Sequence, residues 1–309
     1  MPNRPEEILP GLFFMQRGYL NANHFAYRAD RPVLIDTGYR GHWDATNAIL
    51  KGLGLAIERT ALIINTHTHC DHVGGNHAIQ VQSGCDVALH PRGYAFMQHR
   101  DARSPWWSYY HQTAEFFDPT HVLDDGQEIQ VGPHVFTVIH TPGHAADGLV
   151  LYHRRARLLL SSDTLWARDF PVITVAVEGD GALATMLASL EKIASLAVDR
   201  VYPGHGDAFQ DFAGAHQRAV ARLERFTAEP ALVGWDLVKK IIVYTIMMKG
   251  RVSRAGFFDH LMATRWFPDT VERYFDGQAR AVYEDVMADF KRRDVIRSDG
   301  PHWITTVRP

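Results

Sequence analysis

Four short apolar runs in this chain each lead into imidazole or carboxylate groups at a turn, and this pattern restricts the fold more than any other feature. Residues 61–65 run directly into Thr66-His67-Thr68-His69-Cys70-Asp71-His72-Val73-Gly74-Gly75. Residues 135–140 are followed by Thr141-Pro142-Gly143-His144, residues 158–160 by Ser161-Ser162-Asp163-Thr164, and residues 200–202 by Pro203-Gly204-His205-Gly206. Short apolar runs bounded by turn residues read as buried strands. If those strands lie side by side, their ends converge on one edge of a sheet. Seven candidate metal ligands then surround one spot: His67, His69, Asp71, His72, His144, Asp163 and His205. His67 and His69 are alternate residues and point the same way from an extended backbone. Asp71 and His72 follow where the chain turns toward a helix, and Gly74-Gly75 permits the tight turn. A lone histidine at a strand end is ordinarily a surface residue. Four such motifs in series are not, and so many titratable groups are hard to bury without an ion to bind them.

Composition narrows the chemistry. The chain has 309 residues, with 18 histidines against two cysteines, Cys70 and Cys85. A metal site here is built from imidazole and carboxylate, which suit zinc, iron or manganese. A disulfide framework and a Cys-rich zinc knuckle are excluded. With 46% hydrophobic and 22% charged residues the chain reads as folded, and a net charge of −3 gives no global basic footprint for nucleic acid. The start lacks a secretory apolar region, and the longest apolar run, residues 241–248, is far short of the ~20 residues of a membrane span. A soluble, cytoplasmic protein is the expectation.

Strand and helix patterns interleave along the chain. Residues 11–15, 23–27, 32–35, 61–65, 86–90, 127–131, 135–140, 149–152, 158–161 and 200–202 read as strands. Residues 43–53, 75–82, a stretch from Pro91, and 182–195 read as helices. The class is α/β or α+β with buried sheets. The character changes near residue 229. Residues 231–309 carry 13 Lys/Arg and 10 Asp/Glu, and they read as helices over 232–248, 253–263 and 270–291 followed by two extended pieces. This divides the chain into residues 1–228 and a mostly helical, winged-helix-like C-terminal module, residues 229–309.

The motifs resemble the metallo-β-lactamase superfamily over residues 8 to about 225. His67-Thr68-His69-Cys70-Asp71-His72 matches its HxHxDH signature, and His144, Asp163 and His205 match its later ligands. Ile35-Asp36-Thr37-Gly38 matches an early strand-end aspartate that supports the metal loop. The resemblance implies a four-layer αβ/βα sandwich with a catalytic site at the edge between two sheets. It also implies two divalent ions per chain, most readily zinc. His67, His69 and His144 would hold one, Asp71, His72 and His205 the other, and Asp163 would bridge them. A metal pair of this kind activates a shared water near neutral pH and polarises the substrate oxygen. Asp71 is the candidate catalytic group for taking or relaying a proton.

Substrate choice lies in the walls of the site. The aromatic segment at residues 103–111 is either a pocket wall or lid favouring an apolar or aromatic acyl group, or a helix packed on the sheet or in a homodimer contact. Trp106, Trp107, Tyr110 and, after an early strand, Tyr19 are the candidate substrate-binding residues. His42 and Trp43 are possible rim residues, Cys70 reads as a spacer, and His24 and His140 are the remaining histidines of interest. The leading expectation is hydrolysis of a small carbonyl substrate: an ester, thioester, lactone or β-lactam. The Thr-His-x-His-x-Asp-His-x-Gly-Gly pattern is similar to glyoxalase II, although the tail does not resemble that enzyme's basic substrate-binding end. The alternatives are a phosphodiesterase or ribonuclease with the tail as a nucleic-acid grip, and a mononuclear-iron persulfide dioxygenase using only His67, His69 and His144.

Overall fold

The computed structural model describes residues 4–308. A first sheet follows chain order: β1 (Glu6–Leu9), β2 (Leu12–Met15), β3 (His24–Tyr27), β4 (Val33–Ile35), β5 (Leu62–Ile64), β6 (Asp86–Leu89) and β7 (His121–Val122). The first four strands form an antiparallel meander, and β4 to β7 are parallel. The parallel joints need crossovers, which α1 (Trp43–Gly52), α2 (Asn76–Ser83) and α3 (Pro91–Gln98) supply. A second sheet contains β8 (Glu128–Val131), β9 (His134–His140), β10 (Leu149–His153), β11 (Leu158–Ser162) and β12 (Arg200–Pro203), in the order β12-β11-β10-β9-β8. Around it lie α4 (Val175–Glu178), α5 (Ala182–Ala194) and α6 (Phe212–Ala228).

The continuous apolar runs follow from burial on both faces of each sheet. In β11, Leu158 and Leu160 face the first sheet, where they meet Leu12, Phe14, Ile35 and Ile64, while Leu159 faces outward onto Met186, Leu190 and Leu223 of α5 and α6. In β4 and β5, Ile35 and Ile64 point inward and Leu34 and Ile63 point to the opposite layer. A period of two with apolar residues at both phases produces the four-layer αβ/βα sandwich read from the sequence.

The remainder of the chain comprises α7 (Ala231–Lys249), β13 (Val252–Ser253), α8 (Phe257–Met262), α9 (Trp266–Phe275), α10 (Ala279–Arg292), β14 (Ile296–Asp299) and β15 (His302–Thr305). β15 pairs antiparallel with both β14 and β13. One hydrophobic cluster joins Leu34 and Ile63 of the first sheet, the aromatic segment at 103–111, and Ile242, Trp266 and Phe267 of these helices. No helix among the described residues is long and apolar enough to cross a membrane.

The fold departs from the sequence reading in a few places. The helix expected over 270–291 is two helices, because Asp276 and Gly277 both take left-handed conformations, φ 49° and 74°. α6 was not anticipated, although Phe212, Ala215, Ala219, Leu223 and Phe226 follow helical spacing and Asp211 caps it by accepting from the Gly214 amide. Residues 103–111 are a chain of turns rather than a helix, with Trp106 and His111 at φ 70° and 53°.

The packing can be tested at two glycines and at one histidine pair. A Cβ on Gly74 would sit inside the backbone of Tyr39 and Arg40, whereas one on Gly52, the last residue of α1, meets open space. Gly74→Ala is expected to lower unfolding free energy by ~1–3 kcal/mol. Gly52→Ala is expected to raise it by ~0.4–1 kcal/mol, both read from denaturant curves. The histidine pair is His90 and His140, which stack at 3.8 Å and 15° where β6 and β9 end. His90 Nδ1 also caps α3 by accepting from the Arg92 amide. Burial, then the His140 ring, lower His90 to about 4. The unfolded chain therefore binds the extra proton first, so stability is lost as pH falls from about 6.5 toward 4. His90→Asn, which keeps a capping acceptor but does not titrate, is expected to flatten that part of the stability profile.

Candidate metal centre

Asp36 sets the geometry of the site. It follows β4 in a left-handed conformation, φ 58°, which turns its carboxylate toward the loop after β5. There Oδ1 accepts from the Thr66 amide at 2.9 Å, and Oδ2 accepts from the Thr66 hydroxyl at 2.7 Å and from His72 Nδ1 at 2.8 Å. Ser162, also left-handed at φ 45°, donates its hydroxyl to Thr66 Oγ1 at 2.8 Å and so ties the end of β11 to the same loop. Gly204 approaches so closely that a Cβ there would collide with Asp163.

All seven candidate ligands are buried and lie together. Their donor atoms form three groups: His67, His69 and His144; Asp71, His72 and His205; and His67, His72 and Asp163. The first two groups are the two triads that the resemblance implied. Asp163 Oδ2 lies 3.4 Å from His144 Nε2 and 3.6 Å from both His72 Nε2 and His205 Nε2, so one carboxylate oxygen faces members of both triads. Asp71 Oδ2 lies 3.1 Å from His205 Nε2.

The donor set fits divalent cations. His144 Nδ1 donates to Val172 O at 2.7 Å and His72 Nδ1 donates to Asp36, which leaves each Nε2 as an inward-facing lone pair. The buried atoms His69 Nε2, His72 Nε2, His144 Nε2 and His205 Nδ1 have no hydrogen-bond partner among the described residues. Unpaired buried nitrogens are costly unless something binds them. Burial, reinforced by neighbouring imidazoles, holds His67 and His69 well below the usual histidine range, as neutral ligands require. Burial opposes charge on His72 and Asp163 too, yet Asp36 and Asp163 raise His72, while His205, His72 and His144 hold Asp163 far below the carboxylate range. Protonation is thus disfavoured at His67 and His69 and favoured at His72.

The cluster opens into a cavity of about 520 Å³. Of the candidate substrate-binding residues, Tyr19 and Trp106 line it. Trp106 lies against His69 with ring centroids 3.8 Å apart. Trp107 and Tyr110 do not belong to the cavity, contrary to expectation. Trp107 Nε1 donates inward to Thr68 O at 2.9 Å, and the Tyr110 hydroxyl is buried 2.7 Å from Thr174 Oγ1 with its ring against Trp266. Trp107 and Tyr110 instead anchor the segment. His42 and Trp43 also lie away from the cavity: His42 Nδ1 pairs with Asn21, and Trp43 packs under Gly75. Cys70 is a buried spacer 3.5 Å from the Tyr244 hydroxyl.

Several wall residues were not singled out in the sequence. Trp166 donates to Asp163 Oδ1 at 3.3 Å and lies 5.1 Å from the His205 ring. Its position three residues after Asp163 was the available signal. The opposite wall comes from α7 and the C-terminal end, with Ile241, Val243, Tyr244 and Met247 beside Lys239 and Lys240. Lys240 lies 3.0 Å from Asp236 and 3.1 Å from Asp169, and Lys239 lies 2.9 Å from Asp289. Nothing local to the first 228 residues could have signalled this wall.

Comparison with known proteins places this geometry. The chain matches the metallo-beta-lactamase superfamily over residues 22–205. It is 25% identical to the acyl-coenzyme A thioesterase MBLAC2 of Bos taurus, over 64% of this chain and 79% of that protein. It is 33% identical to a hydroxyacylglutathione hydrolase of a Marinomonas strain, over 46% of this chain and 45% of that enzyme. The chain spans about half the length of the first curated relatives it matches. In structure it resembles a metallo-beta-lactamase family protein from Thermus thermophilus, with a TM-score of 0.62, 20% identity, and coverage of 97% of this chain and 100% of that one. With the motif, the fold and the family match in agreement, the chain belongs to the metallo-beta-lactamase superfamily.

Proposed function

We propose that this protein cleaves a small carbonyl substrate, a thioester or ester with an apolar acyl group, at a centre of two zinc ions. The observation that carries this reading is one cavity with two unlike ends, the seven-residue His/Asp cluster and the apolar side chains of α7. His67, His69 and His144 would hold one ion and Asp71, His72 and His205 the other, with the Asp163 carboxylate facing both triads. When bound, the ions supply a water-derived nucleophile near neutral pH and a Lewis acid for the carbonyl oxygen.

The chain's own residues do the rest. Asp36 fixes the His72 tautomer, and Val172 O fixes that of His144. Asp163 stays a carboxylate because three imidazoles face it. Asp71, on the cavity wall and in contact with His205, takes or relays the proton to the leaving group. Trp106 and the α7 side chains keep bulk water from the acyl group. The thioesterase and hydroxyacylglutathione hydrolase relatives favour a thioester within this class. A nucleic-acid substrate is disfavoured, because Lys239 and Lys240 are engaged by Asp289, Asp236 and Asp169 at the cavity wall instead of forming an open basic face. The complete second triad disfavours single-iron oxygenase chemistry.

Protein purified without added metal is expected to contain two zinc ions per chain by elemental analysis, and to hydrolyse p-nitrophenyl and acyl-thiol esters but not a model phosphodiester. Chelation should abolish the activity and zinc should restore it. One iron per chain with no ester cleavage, or cleavage of the phosphodiester alone, would overturn the reading. Asp163→Asn is expected to lower kcat/KM by more than the roughly 10–100-fold typical of changes to groups behind a metal ligand. An Asp163→Asn protein retaining wild-type activity and two zinc ions would remove the bridging role.

A further inference from the structure

Two carboxyl groups behind the first triad have no ion-pair partner among the described residues, yet both are engaged. Asp147, three residues after His144, is buried and accepts from the Thr68 hydroxyl at 2.8 Å. Thr68 is the residue between His67 and His69. Glu178, the last residue of α4, accepts from Trp106 Nε1 at 2.7 Å. The Trp106 ring in turn lies 3.8 Å from that of His69 and 4.9 Å from that of His144. The segment leading into α4 supplies Val172 O, which receives His144 Nδ1. Each histidine of the triad is therefore backed by a loop that one of these carboxyls, or the segment preceding α4, holds in place.

Trp106 is the informative member. Its backbone is left-handed, φ 70°, which a bulky residue adopts only when its surroundings dictate it. The Trp106 amide closes a turn onto Arg103 O, and its indole N–H donates to Glu178 at 2.7 Å. A strained residue with a single, well-placed polar anchor beside two imidazoles is a device for orienting those imidazoles.

We propose that Glu178 is a positioning residue of the metal centre: by holding the Trp106 indole, it locks the Trp106 ring against His69 and His144, so that the His67–His69–His144 pocket is formed before an ion enters. The inference rests on the two-zinc reading of the site. Glu178 acts through Trp106, and its oxygen is needed as an acceptor, not as a charge.

The test is zinc affinity, measured on metal-depleted full-length protein by competition with a chromophoric chelator. Wild type is expected to take up two ions. E178A should weaken one of them by roughly 10–100-fold, the effect of losing a group behind a metal ligand. E178Q, whose amide oxygen still accepts from the indole, should stay within about threefold of wild type. W106F keeps a ring but loses the N–H, and should resemble E178A. The double variant E178A/W106F should be no worse than either single one, because the two residues act as one unit. Wild-type uptake in E178A, losses that multiply in the double variant, or an E178Q as weak as E178A would overturn the inference. If E178A does not fold, W106F against E178Q carries the same comparison: W106F weakened with E178Q preserved supports it, and any other pattern overturns it. A wild-type chain that takes up no zinc would sink the two-zinc reading itself, a result distinct from unchanged uptake in the variants.

Discussion

The carboxylate of Asp36 is the constraint on which the rest of the centre depends. It accepts four hydrogen bonds from three residues, Asn65, Thr66 and His72, that bracket the loop carrying His67, His69 and Asp71. A buried carboxylate with its oxygens this fully engaged has little freedom to move. It can occupy that place only because the chain leaves β4 in a left-handed turn instead of running on as strand. The Thr66 hydroxyl passes the constraint to Ser162 at the end of β11, in the other sheet. Strand ends from two sheets are thus referred to one carboxylate, which makes it possible for side chains from four distant segments to converge.

Convergence of this kind is electrostatically demanding. Five imidazoles and two carboxylates share a volume from which water is largely excluded, and their protonation preferences are driven apart. His67 and His69 are held neutral, whereas His72 and His205, each facing carboxylates, are held toward the charged form. The split follows position. The imidazoles near Asp36, Asp71 and Asp163 sense negative charge, whereas His67 and His69 mainly sense the low polarity around them and neighbouring imidazoles. Positive charge introduced between the two sets relieves both: it satisfies the unpaired nitrogens of one and balances the carboxylates of the other.

Much of this was legible in the sequence because it is local. Each candidate ligand lies within seven residues of the end of an apolar run, and short runs with both phases apolar suit strands buried on both faces. The seven candidate ligands were therefore readable as a set, as was the sandwich that brings them together. What could not be read are features decided across the fold. Trp106, Trp107 and Tyr110 have the same composition signal, and only the burial of Trp107 under Thr68 and of Tyr110 under Trp266 separates anchors from wall. The break at Asp276-Gly277 was overlooked because the apolar spacing resumes on its far side. Glu178 and Asp147 look like ordinary acidic residues until their partners, Trp106 and Thr68, are brought beside them.

The helical C-terminal region gains its meaning from the same distinction. α7 is apolar nearly all round, which would be a liability on a surface helix but suits one that packs on two sides. One side joins the hydrophobic cluster with Trp266 and Phe267, and the other presents Ile241, Val243, Tyr244 and Met247 to the cavity. The catalytic motifs supply only one end of that cavity, and the metal-binding loop meets the far wall directly where Cys70 touches the Tyr244 hydroxyl. A superfamily site made from strand ends is generic in its chemistry, whereas the wall that faces it here is built by residues beyond 230. The wall built by α7 and its neighbours therefore lies in the part of the chain where the sequence carries no motif.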